Sequence, residues 1–311
     1  MSPLLLTGNA HPKLAEEIAR CVGVELGKTH IGRFPDGELS VRIDEEITGR
    51  RVCVIQPLVP PVHEHLMEML LLLDAARRWR AKHVTAVLPY YSYARNPHAP
   101  PRGEPYVAAV QAKLLQSAGA ERIVTLDVHA PDPQAWFDIP VHHLQPTSLF
   151  VADIRAELAS RGLHPRDVVI VSPDAGGIMR ARTYAQQLGA KSAVVNKRRL
   201  GPRAVEAVDV TGNVAGKHAI LVDDLIGTGQ TLLQASRLLR DRGALNVWAY
   251  AAHALLSDQA RQRLGDDVLD EVVVTDSFPW AQRLASCRRR ARVLPCAPLF
   301  ARVLRRGEIR C

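Results

Sequence analysis

The stretch His218–Thr231, HAILVDDLIGTGQT, joins an apolar run, two adjacent carboxylates and a glycine turn. Ala219–Val222 reads as a buried strand that delivers Asp223 and Asp224 at its C-terminal end, the edge at which open α/β sheets bind ligands. Gly227 and Gly229 let the backbone approach an anion closely. The N–H groups of Ile226–Gln230 can then turn inward, and a helix starting near Thr231 adds the partial positive charge of its N-terminus. Thr228 and Thr231 add hydroxyl donors beside Gln230. Paired carboxylates suit a polyol, because each accepts hydrogen bonds from hydroxyl groups. The loop therefore reads as a cradle for a sugar phosphate. It is not a Walker A loop, because no Gly-Lys-Ser/Thr follows.

Other candidates are weaker when taken alone. His129 follows the strand Arg122–Asp127, again at the ligand edge, but a single His is more often structural than a ligand. Asp174 follows a strand ending at Ser172 and precedes Gly176 and Gly177. Lys197 and Arg199 stand in NKRR after the strand Ser192–Asn196; alternation sends both to one side of an extended segment. Cations so placed can stabilise a transferring phosphoryl group, although a charge run is usually a solvated turn. In FPDGE, Asp36-Gly37 is a turn flanked by Phe34 and Glu38.

The elements that must position these residues follow from periodicity. Strands are expected at Arg51–Gln56, His83–Pro89, Arg122–Asp127, Asp167–Ser172, Ser192–Asn196, His218–Val222, Asn246–Ala252 and Glu271–Thr275. Helices are expected at Pro61–Arg80, Tyr106–Ala118, Ser148–Arg161, Gly177–Leu188 and Thr231–Arg242. Continuous apolar strands with helical crossovers imply parallel sheets covered on both faces. Arg51–Leu88 and His218–Ala252 echo one another as strand, polar loop, long helix and strand, which suggests two similar halves. The boundary falls near LQPTS, Leu144–Ser148, where Pro and Thr/Ser suit a linker ending in a helix cap.

The chain's 311 residues fit two domains, and 47% hydrophobic with 23% charged residues argue for a globular core. The longest apolar run is too short to span a bilayer, and the first residues lack a basic n-region, so no membrane association and a cytoplasmic location are expected. The five cysteines form no CxxC pair and read as reduced thiols. The net charge of +8 suits polyanionic substrates drawn in by electrostatic steering. With only 5% aromatic residues, stacking platforms for nucleic acid are scarce, and no nucleic-acid partner is expected.

LVDDLIGTGQT resembles the phosphoribosyl-diphosphate motif of type I phosphoribosyltransferases and of ribose-phosphate pyrophosphokinases. Four further segments resemble the pyrophosphokinases: GRFPDGELSVRI (Gly32–Ile43), PYYSYAR (Pro89–Arg95), TLDVHA (Thr125–Ala130) and VVIVSPDAGGIMRAR (Val168–Arg182). A fifth, VVNKRRLGPRAVE (Val194–Glu206), resembles that family's mobile catalytic loop, and all lie in the family's order. The resemblance implies two doubly wound, mainly parallel α/β domains of the type I phosphoribosyltransferase kind. Residues 1–146 with 293–311 would form the ATP side, with the last strand and helix returning to it, and residues 147–292 would bind ribose 5-phosphate. It further implies synthesis of phosphoribosyl diphosphate and AMP. By resemblance, Phe34, Asp36 and Glu38, donated across a subunit interface, bind ATP with Arg95 and Asn96. Asp223, Asp224, Gly227, Thr228, Gly229, Gln230 and Thr231 hold ribose 5-phosphate; Lys197, Arg199 and His129 are catalytic. His129 and Asp174 contact Mg²⁺, a hard cation that needs few protein ligands beside phosphate oxygens and water. A homo-oligomer, dimer or hexamer, with a shared ATP site is the implied assembly.

The chain departs from the family after Arg95. Asn96 stands where Gln is usual and Pro97 where Asp is usual, and Pro97 has no N–H. The nucleotide donor is therefore open, and Arg102 can replace a lost cation. The pieces GEP (Gly103–Pro105) and KRRLGP resemble shorter archaeal-type enzymes. Gly227 replaces a frequent Asp and Gln230 a frequent Gly; a backbone-built cradle tolerates both if residue 230 avoids positive φ. The stretch Arg288–Arg292 reads as an exposed basic connection. Alternative readings are a type I phosphoribosyltransferase, a non-catalytic regulatory relative of the synthetase, and a nucleic-acid-binding protein.

Overall fold

The computed structural model describes residues 2–95, 101–130, 132–199, 206–255, 257, 260, 269–279 and 291–306. The chain divides into two compact units. The first comprises Met1–Gln145, Ser277–Pro279 and Pro295–Cys311; the second comprises Pro146–Asp276 and Trp280–Leu294.

The first unit is built on β1 (Leu4–Thr7), β4 (Arg51–Ile55), β5 (His83–Leu88), β6 (Arg122–Leu126) and β7 (Val141–Leu144), parallel and in that order across the sheet. Its helices are α1 (Pro12–Val22), α2 (Val62–Arg78), α3 (Val107–Ser117) and the C-terminal α7 (Ala297–Arg306). The hairpin of β2 (Thr29–Arg33) and β3 (Leu39–Ile43) stands apart as its own two-stranded sheet. Strand residues are apolar in unbroken runs because both faces are covered. Val52 and Val54 pack with Met69, Leu72, Ala112 and Leu115 of α2 and α3. Cys53 and Ile55, on the opposite face, pack with Leu14, Ile18, Phe300 and Leu304 of α1 and α7.

The second unit contains α4 (Thr147–Ser160), β8 (Val168–Ser172), α5 (Ile178–Leu188), β9 (Lys191–Arg199), β10 (Glu206–Thr211), β11 (His218–Ile226), α6 (Gln230–Asp241), β12 (Asn246–Ala254), β13 (Glu271–Thr275) and β14 (Ala291–Leu294). The strand order is β10-β9-β8-β11-β12-β13-β14, with only β10 antiparallel to its neighbour. Val169 and Val171 face Leu232, Ala235 and Leu239 of α6; Val168 and Ile170 face Phe150, Ile154, Ala181 and Tyr184 of α4 and α5. From β8 the chain crosses through α5 to β9 on one side, and from β11 through α6 to β12 on the other. The neighbours β8 and β11 therefore bracket a topological switch point, where a crevice opens at the carboxyl ends of the strands.

Two α/β units with mainly parallel sheets agree with the expected fold class. The two echoing segments are the units β4-α2-β5 and β11-α6-β12. Several local expectations are corrected. Helix α4 begins at Thr147 with Pro146 at its N-cap and no side-chain cap, so the Thr/Ser near the boundary does not serve as one. Strand β14 pairs with β13 in the second sheet, and only α7 packs on the first unit. Arg292 is not an exposed connection: it bonds Asp153 through both guanidinium amines and Glu271 through Nε. Among the described residues, no helix is long and apolar enough to cross a membrane.

Candidate active site

Pairing positions the acidic pair. Strand β8 accompanies β11 as far as Val171↔Leu221, whereas β12 accompanies it to Ala254↔Ile226. Asp223 and Asp224 therefore lie within the strand, which runs beyond the expected end at Val222, on the part that β8 leaves uncovered. Asp224 is 4% exposed and Asp223 half-buried. The Asp224 N–H donates to Asp223 Oδ1 at 2.9 Å. Burial first, and then the neighbouring Asp224 charge, push the Asp223 carboxyl well above the usual carboxylate range, with Arg180 opposing. A pair so crowded gains from a cation or a set of hydroxyl donors.

The glycine turn ends at Gly229, whose φ of 73° is left-handed and which forms the N-cap of α6 without a side-chain cap. The Leu233 N–H donates to Gly229 O at 3.0 Å; the N–H groups before it have no intrahelical acceptor. An uncapped helix start beyond a glycine is a favourable anion site. Gln230 is helical, so the condition on residue 230 is met. Gly227 has no positive φ, so only Gly229 needs glycine for its dihedral.

Asp174 lies at the end of β8, beside this loop in strand order. Its Oδ1 accepts from the N–H groups of Gly176 (2.8 Å) and Gly177 (3.2 Å), while Ser172 Oγ donates to its carbonyl at 2.6 Å. A side chain at 177 would meet Ser172 Oγ at 2.6 Å, which requires glycine there. One Asp174 oxygen is thus engaged in holding the turn. From α5, Arg180 Nη1 reaches Asp224 Oδ1 at 3.5 Å.

Lys197 and Arg199 lie on β9 rather than after it. They pair with Val208 and Glu206 of β10, beyond the last β8 partner at Ser172↔Val194. The basic segment is thus a ribbon extending past β8 on the same edge as the acidic pair.

In the first unit, Arg95 and His129 follow β5 and β6, which are paired neighbours. Both are exposed. Asn96 lies outside the described residues. Phe34, Asp36 and Glu38 sit at the β2–β3 turn. There the Phe34 N–H donates to Glu38 O (2.8 Å), the Gly37 N–H to Phe34 O (2.9 Å), and the Glu38 N–H to Asp36 Oδ1 (3.1 Å). Phe34 is 53% exposed, unusual for a large aromatic. Among the described residues, no three His, Cys, Asp or Glu side chains group together to hold an ion. Arg180 and His143, which accepts from the Val128 N–H beside His129 at 2.8 Å, were not singled out from the sequence.

Comparison with known proteins gives a consistent result. A model of the N-terminal domain of ribose phosphate pyrophosphokinase matches residues 4–119, and one of the phosphoribosyl synthetase-associated domain matches residues 197–308. The chain is 39% identical to the ribose-phosphate pyrophosphokinase of Ralstonia nicotianae, over 97% of its length and 94% of the relative's. It is 43% identical to that of Caldanaerobacter subterraneus, over 97% and 93%. The crystal structure of phosphoribosylpyrophosphate synthetase from Mycobacterium smegmatis matches with a TM-score of 0.90 at 37% identity, covering 99% of each chain.

Proposed function

The chain belongs to the ribose-phosphate pyrophosphokinase family, and on that premise we propose how its residues move a diphosphate from ATP to ribose 5-phosphate. The second unit holds the acceptor. The phosphate rests on the N–H groups of Gly227–Thr231 with the hydroxyls of Thr228 and Thr231, and Asp223 and Asp224 accept from the ribose hydroxyls. The first unit holds ATP, with Arg95 and His129 at its sheet edge and Asn96 as a further contact by resemblance. Phe34, Asp36 and Glu38 serve the ATP site of a neighbouring copy in a homo-oligomer; the exposed Phe34 at a hairpin turn supports that reading. The anomeric hydroxyl attacks the β-phosphorus and AMP leaves. Lys197 and Arg199 offset the negative charge that spreads over the phosphate oxygens. Alignment of the acceptor supplies the rest of the rate.

His129 and the second oxygen of Asp174 are the proposed Mg²⁺ contacts. Each of the two, an imidazole or a carboxylate with phosphate oxygens and water completing its shell, suits a hard cation that keeps much of its hydration. When bound, the ion supplies charge neutralisation on the phosphates. Among the described residues the cysteines Cys21, Cys53 and Cys296 are free thiols, which accords with the cytoplasmic setting we propose.

The observation that carries this reading is the uncapped α6 start at Gly229, one turn beyond Asp223 and Asp224 at the switch point. Calorimetry on Asp224→Asn tests it. Affinity for ribose 5-phosphate should fall at least about tenfold, the equivalent of one charge-assisted hydrogen bond, while ATP binding is unchanged. Equal loss of both would reject the assignment.

A further inference from the structure

His129 sits on a backbone that does not hold its own shape. Asp127, two residues before it, has a φ of 39°, a left-handed conformation that costs a non-glycine residue free energy, and it is only 2% exposed. Among the described residues, three hydrogen bonds fix the turn. The Asp127 N–H donates to Leu144 O at 2.9 Å, and the Ala130 N–H closes onto Val128 O at 2.7 Å. The third is of a different kind: the Val128 N–H donates to an imidazole nitrogen, His143 Nε2, at 2.8 Å. Val128 is itself buried, so this N–H has little access to water. Its acceptor must come from the protein.

The register explains why His143 is available. Strand β7 pairs with β6 in parallel, Thr125 opposite His143 and Leu126 opposite Leu144. The carbonyl of Leu144 therefore takes the first N–H past the end of β6. The side chain of His143 takes the next, where the β7 backbone has no carbonyl to offer. An accepting Nε2 carries no proton, so the ring is neutral with its proton on Nδ1.

We infer that His143 is a positioning residue for the transfer reaction: its Nε2 lone pair fixes the strained turn that presents His129 to the nucleotide. The inference rests on the reading of His129 as a nucleotide contact, and it assigns His143 a task performed through the turn it holds. Asparagine should substitute in part, since its Oδ1 is also an acceptor on a short side chain. Leucine, similar in bulk but without an acceptor, should not.

The test measures AMP release by His143→Asn and His143→Leu, each in the native chain and in a His129→Ala background, with thermal unfolding to confirm folding. His143→Leu should lower kcat by about ten- to a hundredfold, the range for a misplaced catalytic contact, and His143→Asn by no more than about threefold. In the His129→Ala background His143→Leu should cost less than about threefold, because the group it positions is gone. Equal losses in both backgrounds would overturn the inference while leaving the assignment of His129 intact. Full turnover by His129→Ala alone would remove that assignment, and the inference with it. A measurement on the unmutated protein stands independently of variant folding. The ¹⁵N shift of His143 Nε2 at neutral pH should be that of an unprotonated acceptor nitrogen, and a protonated Nε2 would refute the proposal.

Discussion

Arg180 Nη1 lies 3.5 Å from Asp224 Oδ1, joining the helix after β8 to the strand that carries the acidic pair. The guanidinium also draws the raised Asp223 carboxyl back down. One cation from α5 thus holds two crowded carboxylates in a usable state at the switch point. Removing it should push Asp223 higher still. In Arg180→Met the acid limb of ribose 5-phosphate binding should move to higher pH, as followed by calorimetry between about pH 5 and pH 8. A limb that stays in place or moves lower would show that Arg180 does not govern the pair.

Asp223→Asn should stabilise the ligand-free protein. The carboxyl is raised in the folded state, so its favourable contribution is present at low pH and is lost as pH rises through the folded value. At neutral pH the charged group is a cost that asparagine removes. Thermal unfolding should show a gain of about 2–4 °C at neutral pH, equivalent to about 1 kcal/mol for a domain of this size. The gain should shrink near the ordinary carboxylate range. Sugar-phosphate affinity should fall in the same variant, a trade common at binding sites.

Gly229→Ala places a Cβ on a residue at φ 73°. The strain is about 1–2 kcal/mol, and relieving it rotates the N–H groups away from the anion. Ribose 5-phosphate binding should weaken by more than the loss in stability implies, which urea titration and calorimetry on one preparation can separate. Gly227→Ala, at a position without positive φ, should be milder.

Arg292 bonds Asp153 and Glu271 at 2.6 Å each, and Asp153 also accepts from Tyr250 Oη at 2.8 Å. Arg292→Ala leaves Glu271, 4% exposed, with Arg161 as its one remaining cation among the described residues. Breaking a buried pair costs about 3–5 kcal/mol; with 31% of the Arg292 side chain exposed, screening reduces this to about 2–3 kcal/mol. Chemical denaturation should show that loss, with substrate affinity unchanged.

The alternation of apolar strands and amphipathic helices was legible because strands buried on both faces are nearly pure Val, Ile and Leu, as in Val168–Ser172 and Glu271–Thr275. Short or edge elements were not. Leu4–Thr7 and Val141–Leu144 have four residues each, and Glu206–Thr211 pairs antiparallel at the sheet edge. The glycine turn and the helix start behind it were legible because the signals for them are contiguous. The extension of β11 through Ile226 was not, because it depends on a partner, Ala254, far along the chain. Arg180 and His143 escaped for the same reason: each acts on a residue of another element, brought close by strand register rather than by spacing.

The most direct test of the central claim, that this chain joins a diphosphate to a pentose ester held at Gly227–Thr231, is ³¹P NMR of the purified protein with ribose 5-phosphate, Mg²⁺ and ATP, ADP or CTP in turn, beside Lys197→Ala. The account predicts AMP together with a new diphosphate ester from ATP, and near loss of both in the variant with its fold unchanged. No nucleoside monophosphate from any of the three donors would contradict it, and would favour a regulatory relative instead.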